Sequence, residues 1–263
     1  VPFWYAEKSV LRLGRGVVVV KRLTGVVLCV VALGLATAAW ANLSIDKLWV
    51  EFADGQPGRS DIVIRNDGDE RYYIDVTVAE VVNPGTEAEE RVVVADPEAR
   101  GLLVTPNRLI LEPGALRSIR LVSLNEGLTS DRIYRVMIRP EVGAIRSDAS
   151  VLEGSPNIVM KLMAAYDVLV VARPQGGKAQ VSAARSGREL TLTNSGNSNI
   201  LITEGSVCPR DVAESEGNER CASINAARLY AGNSVKIDLA AEDDAVEIKS
   251  RETASSSLVT TRF

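Results

Sequence analysis

NIVMKLMAAYDVLVVARP, running from Asn157 to Pro174, is the stretch on which the reading of this chain turns. Its even positions carry Ile158, Met160, Leu162, Ala164, Tyr166, Val168 and Val170, and its odd positions include Lys161 and Asp167. Successive side chains of a β-strand point to opposite faces, so this alternation predicts one long strand with a continuous apolar face. The run ends at Arg173-Pro174, where a domain boundary is expected. Soluble proteins avoid long, exposed, hydrophobic edge strands. If this one is exposed, it is there to pair with another chain.

Outward from that stretch, the chain reads as short strands punctuated by turns. Leu43–Phe52 alternates loosely and is followed by the turn ADGQPGR. Ser60–Arg65 ends in Asn66-Asp67-Gly68-Asp69, a strong turn signal. Arg71–Val82 is rich in β-branched and aromatic residues and is broken by Asn83-Pro84-Gly85. Leu116–Val122 and Arg132–Arg139 alternate in the same way. After Pro174 the pattern restarts behind Gly176-Gly177, with candidate strands from Ala179 to Ile248 and a last one at Leu258–Thr261. Closely spaced strands with turns between them and no convincing helix predict an all-β chain. The expected architecture is two Ig-like β-sandwich domains in tandem, residues 42–173 and 174–263.

The first 41 residues read as a targeting segment. Lys21-Arg22 precedes an apolar run from Leu23 to Ala41, which closes on Ala39-Trp40-Ala41. A positive flank, an apolar run and a small-x-small ending form a signal peptide, with cleavage expected after Ala41. A retained anchor is the alternative, because the run is long enough to cross a bilayer. Residue 1 is Val and the only methionines are Met137, Met160 and Met163, so residues 1–16 are expected to be an extension upstream of the true start. Export makes a disulfide between Cys208 and Cys221 plausible, worth roughly 3 kcal/mol on the chain-entropy model. Cys29 would leave with the signal.

Composition narrows the chemistry. The 263 residues carry a formal net charge of −4, which gives no basic face for a nucleic acid. There is no histidine, which removes the commonest general base, the Ser-His-Asp triad and most zinc sites. The acidic run Ala240–Glu247 lacks the glycine and spacing of a calcium loop. Gly176-Gly177 has no helix after it to make a phosphate cradle. No enzyme activity, cofactor or metal is expected.

Several segments together resemble one family. VIRNDGDERYYIDVTV with Asn66, TPNRLILEPGALRSIRLV with Pro106, Pro113, Gly114 and Arg120, DRIYRVMIRP with Asp131 and Tyr134, and VLVVARP with Arg173 and Pro174 occur in order. In this combination the chain resembles the PapD-like periplasmic chaperones of the chaperone–usher pilus pathway. The resemblance implies two Ig-like sandwiches with a subunit-binding cleft. It also implies β-strand addition, in which the chaperone lends a strand to an incomplete pilin-like subunit and passes the subunit to an outer-membrane usher. The donated set would be Ile158, Met160, Leu162 and Ala164, and methionine suits variable pockets. Periodicity alone equally allows these residues to be core of their own domain.

The resemblance further implies two basic residues anchoring the subunit's terminal carboxylate, at positions that fall on Trp49 and Leu169 here. Neither is basic, which points to a divergent branch of the family, a different anchoring scheme, or a chain that no longer serves a standard usher system; Lys47, Arg135 and Arg139 become the candidate anchors. Arg120, Asp131 and Arg173 match a charged network between the domains, with Glu247 or Glu252 as the acidic partner from the second domain. Tyr134 matches an Ig-type tyrosine corner. An unoccupied donor strand would invite a self-capping dimer. The rival reading is an exported Ig-like binding or adhesion module with the long strand as internal core.

Overall fold

A computed structural model of the chain describes residues 43–141, 163–210 and 220–263. The leader with its expected cleavage site, and the positions Ile158, Met160 and Leu162, lie outside these residues. The described chain is almost entirely strand. Its one helix is the single turn Pro97–Arg100, which starts on an Asp96 cap and stops at Gly101 in the left-handed conformation.

The first sandwich uses β1 (Leu43–Ile45), β2 (Trp49–Phe52), β3 (Arg59–Asn66), β4 (Tyr72–Val82), β5 (Glu90–Val92), β6 (Leu102–Thr105), β7 (Arg108–Leu111), β8 (Leu116–Ser123), β9 (Arg132–Glu141) and β10 (Tyr166–Ala172). One sheet has the order β1-β3-β8-β6; the other has β2-β10-β9-β4-β5, with β7 also on β4. The second sandwich uses β11 (Val181–Ser186), β12 (Glu189–Asn194), β13 (Ile200–Cys208), β14 (Ala222–Ile224), β15 (Ala227–Leu229), β16 (Ser234–Asp238), β17 (Ala245–Arg251) and β18 (Val259–Arg262). Its sheets are β11-β12-β16 and β14-β13-β17-β18, with β15 also on β13. Two sandwiches of this kind are what the strand-and-turn pattern predicts. Cys208 and Cys221 are joined as a disulfide, as expected.

Alternation builds each core. In the first sandwich the buried positions are Val50 and Phe52, Ile62 and Ile64, Val76 and Val78, Ile119 and Leu121, Val136 and Ile138, and Val168 and Val170. Each pair is spaced by two, so one face of each strand turns inward. In the second core, Ile202 and Val207 both point inward although five positions separate them. The pairing of β13 with β17 shifts register between Ile202 and Glu204, and this irregularity restores the inward face.

Two strand predictions are corrected. Leu43–Phe52 is two strands, not one: β1 pairs with β3 in one sheet, and β2 pairs with β10 in the other. The chain crosses between sheets at Asp46–Leu48, where the Asp46 carboxylate accepts from the Val63 amide at 2.9 Å and holds the bend. The long strand begins, within the described residues, only at Tyr166; Met163, Ala164 and Ala165 are exposed and unpaired in any sheet. One pairing is parallel rather than antiparallel, since β10 runs alongside β2 with Leu169 opposite Trp49.

The two sandwiches share a device that no sequence repeat announces. Asn66 ends β3, and Asn194 ends β12; both are fully buried. Asn66 Nδ2 donates to Glu70 O and Leu111 O, and its Oδ1 accepts from Gly68 N. Asn194 Nδ2 donates to Ser198 O and Leu229 O, and its Oδ1 accepts from Gly196 N and Gln180 N. The backbone oxygens of Asn66 and Asn194 accept from Gly114 N and Gly232 N, and both glycines have φ near +70 to +80°. In each domain, then, one amide side chain ties the end of a strand to the turn on the neighbouring strand. Truncating such a residue strands several buried backbone groups. Asn66→Ala and Asn194→Ala are each expected to lower the unfolding free energy by about 2–4 kcal/mol in urea titrations of the purified chain.

Candidate functional site

At the junction of the sandwiches stands Arg173, just beyond β10, with its side chain only 3% exposed. Its Nε and Nη2 donate to Glu51 Oε1 at 3.0 and 2.7 Å. Nη1 donates to Ser198 Oγ and to Asn199 O, the latter at 3.0 Å, and Nη2 also reaches Glu252 O. Asp131 lies 4.0 Å from Nη1 and accepts from Ser198 Oγ at 2.8 Å and from Asn199 N at 2.6 Å. Glu51 Oε2 accepts from Ala254 N at 2.8 Å. First-sandwich carboxylates and second-sandwich backbone therefore converge on one guanidinium, whose planar fork suits several acceptors at once. The two sandwiches pack as one compact unit.

Above this junction, the outer face of the β2-β10-β9-β4 sheet runs in rows set by strand register. Val81, Ile133 and Val171 form the lowest row and pack with Tyr230 of the second sandwich. Next come Ala79, Arg135, Leu169 and Trp49, then Thr77, Met137 and Asp167, then Asp75 and Arg139. Asp167 is held by Arg91 at 2.7 Å. Burial holds the Tyr230 phenol above its ordinary pKa. The turn Asn83-Pro84-Gly85 also meets the second sandwich, where Asn233 Nδ2 donates to Pro84 O at 2.7 Å. Gly85 has φ +73°, and a Cβ there would lie 2.9 Å from the Tyr230 ring. Only glycine fits that approach.

Trp49 stands where the resemblance places a basic residue, and two arginines of the second sandwich lie over its ring. The Arg228 guanidinium lies over its ring, 4.4 Å from the centroid, and Arg251 lies 5.5 Å away. Burial pushes the Arg228 pKa down from its ordinary value. Arg228 Nη1 donates to Asn199 Oδ1, which links this stack to the junction.

The remaining candidates are placed as follows. Arg135 is half-buried in the row with Leu169 and Trp49, and Arg139 is exposed further along the same strand. Lys47 is drawn toward the other sheet: its Nζ donates to Asp61 O at 2.7 Å and pairs with Asp46 at 3.2 Å. Arg120 makes two bonds to Asp61, at 2.8 and 3.0 Å, on the β3-β8 surface. It is thus held apart from the Arg173 cluster by its place in the other sheet. The Asp61 carboxyl is held below its ordinary pKa by the Arg120 hydrogen bond. Glu252 meets Arg173 through its backbone oxygen, whereas Glu247 pairs with Arg262. The Tyr134 hydroxyl donates to Arg100 O at 2.9 Å and so fastens the one-turn helix to the core. Ala164 is exposed just ahead of β10.

Glu51, Arg228 and Arg251 are not among the residues that the sequence singles out. An acidic residue inside the apolar WVEF was the one local signal for Glu51. Nothing local marks the two arginines.

Comparisons with known proteins bear on this geometry. No family model matches the chain. It is 31% identical over 160 residues to a CS1 fimbrial protein of Escherichia coli, a match that covers 58% of this chain and 64% of that protein. The chain thus spans less than two thirds of the length of the curated relatives it matches. The crystal structure of the class 5 fimbriae chaperone CfaA superposes with a TM-score of 0.59 at 20% identity, covering 84% of this chain and 98% of that one. A chain from the Salmonella enterica SafA pilin–SafB chaperone complex superposes with a TM-score of 0.55 at 11% identity, covering 86% and 99%. The chain has the two-sandwich fold of fimbrial chaperones, at low sequence identity.

Removing one partner of a buried, hydrogen-bonded ion cluster leaves the other charge uncompensated. Arg173→Met is expected to destabilise the chain by roughly 3–5 kcal/mol in chemical denaturation. Arg120→Ala, which removes a surface pair, should leave the denaturation midpoint unchanged.

Proposed function

We propose that this protein is a non-enzymatic periplasmic chaperone that binds pilin-like subunits by lending them a β-strand. It delivers them to an outer-membrane usher for fimbria assembly. In this reading the leader is cleaved after Ala41, and residues 42–173 and 174–263 form the two Ig-like domains. The observation that carries it is the junction at Tyr166. There β10 is fully paired, antiparallel to β9 and parallel to β2, with its even-numbered residues Val168 and Val170 in the core. The residues just before it, Met163 to Ala165, are exposed and outside any sheet. The alternating run Ile158, Met160, Leu162 and Ala164 leads into that junction with the same parity. In this reading Ile158, Met160, Leu162 and Ala164 are the set donated to a subunit's open groove. The fold shared with fimbrial chaperones supports the same class.

In this scheme Arg135 replaces the missing lysine at Leu169, since the two residues are cross-strand partners. Arg139 extends the positive face outward, and Arg228 supplies the charge that Trp49 does not. Asp131 and Arg173 hold the angle between the domains, with Glu51 rather than Arg120 completing the network. Lys47 is bound to Asp46 and Asp61 and contributes nothing to the anchor. Without a subunit, the apolar run is capped by a second copy of the chain. No cofactor or metal takes part, and strand exchange needs no nucleotide.

Burying a large apolar side chain is worth roughly 1.5–3 kcal/mol, and placing a carboxylate in the same pocket costs more. Co-expression with a pilin-like subunit should yield a copurifying complex. Leu162→Asp and Met160→Asp should each weaken that complex by about 100-fold or more. A complex kept intact by both variants would mean that this strand is not donated.

A further inference from the structure

The second sandwich is open along one side. Its three-stranded sheet ends at β11, and its other sheet ends at β18. β11 and β12 are joined by the two-residue turn Gly187-Arg188, with Ser186 opposite Glu189. Gly187, at the first turn position, has φ +57°, as such turns require. The residues flanking a two-residue hairpin turn exchange both hydrogen bonds, and bonded and unbonded pairs then alternate along the ladder. Ser182, Ala184 and Ser186 therefore direct their backbone groups to β12, whereas those of Val181, Ala183 and Arg185 point away from it. The residues ahead of β11 keep this parity: Gln180 O accepts from Ser195 N, and Ala179 N donates outward to Glu252 Oε1 at 3.3 Å. No backbone or side-chain group among the described residues meets the outward groups of Val181, Ala183 and Arg185 in this way.

The side chains of Val181 and Ala183 lie on the inward face, since their cross-strand partners Asn194 and Leu192 are buried. Beside them is a cavity of about 280 Å³, floored by Ile202, Leu229 and Ile248 and flanked by Val181 and Val259. Val259 pairs with Ser250, and Ser250 with Ile202, so Val259 belongs to the inward face of its own sheet. It is nonetheless 58% exposed, because the smaller sheet stops at β11. Sheet edges are ordinarily guarded by charges, proline or a bulge. From Val181 to Ala184 this edge has none of them, and Arg185 turns across to donate to Glu242 O and Asp244 O at 2.5 and 2.8 Å. The stretch Lys178–Arg188 carries Lys178, Arg185 and Arg188 and no acidic residue, in a chain of net charge −4.

We propose that the β11 edge takes up an extended segment of a partner protein by β-strand addition, and that this segment has aliphatic residues at alternate positions and acidic residues at its ends. The outward backbone groups of Val181, Ala183 and Arg185 supply the main-chain bonds. The aliphatic side chains enter the cavity between Val181 and Val259, and Lys178 and Arg188 favour the acidic ends. The site belongs to the second sandwich and does not rest on donation of the run that precedes β10.

Fluorescence anisotropy on the purified full chain tests the proposal. The probe is a dye-labelled peptide in which valine and threonine alternate between two terminal glutamates, and its lysine-ended counterpart is the control. Saturable binding of the acidic peptide is expected. Ala183→Pro should weaken it by about tenfold, since it removes the central outward N–H; proline is tolerated at a sheet edge, and no bond to β12 is lost. Val259→Asp, at an exposed flank, should also weaken it, by placing a carboxylate where the aliphatic side chains lie, and it carries the test if Ala183→Pro fails to fold. Lysine ends should weaken binding by about tenfold. Absence of saturable binding, binding kept in full by both variants, or equal binding of the two peptides would overturn the assignment.

Discussion

A buried guanidinium cannot be left without acceptors, and Arg173 sets the terms on which the two sandwiches meet. An uncompensated charge at that depth would cost several kcal/mol, so each of its donors has to find an oxygen. One carboxylate comes from β2 of the first sandwich, through Glu51; the backbone oxygens come from Asn199 and Glu252 of the second. Asp131 then orders the Ser198–Asn199 backbone that receives the same arginine. β10, β2 and the turn between β12 and β13 are consequently held in one arrangement. The parallel pairing of β10 with β2 follows the same logic, since it brings Glu51 alongside Val171, two residues before Arg173.

The amide devices at Asn66 and Asn194 explain why each sandwich holds its shape up to that junction. Both side chains satisfy backbone groups at a strand end and at the turn across from it, and both sit on a glycine-bearing turn two residues later. In the second domain the residues bridged by Asn194 include Ser198, which also touches Arg173 and Asp131. The fold-stabilising turn and the interdomain cluster thus share atoms. The same local geometry closes a strand end in the first domain and a docking edge in the second.

The cleft face departs from the resemblance in an informative way. Trp49 cannot carry charge, but its ring offers a flat, electron-rich surface on which Arg228 stacks. Arg228 belongs to the second sandwich, and burial there holds its pKa below the ordinary value. Arg135 keeps one cation on the original sheet, beside Leu169. Three arginines, Arg135, Arg228 and Arg251, thus stand on or beside this face.

Much of this protein was legible in its sequence. Alternation, turn chemistry and the Asn66-Asp67-Gly68 signal act within a few residues, so strands, their inward faces and the all-β class follow from local pattern. The Cys208–Cys221 pair is a short-range matter for the same reason. The partners of charged side chains are not local. Arg120 chose Asp61 across β3 and β8, Lys47 reached the Asp61 backbone oxygen 14 residues away, and Arg173 chose Glu51 across 122 residues. The division of Leu43–Phe52 between two sheets likewise rests on Asp46 meeting Val63, a contact that exists only once β3 is in place. By itself the sequence determined which residues face inward and where the chain turns, because covalent geometry and burial impose periods of two. The tertiary structure alone decided which ions meet, because electrostatic partners are selected by distance in space.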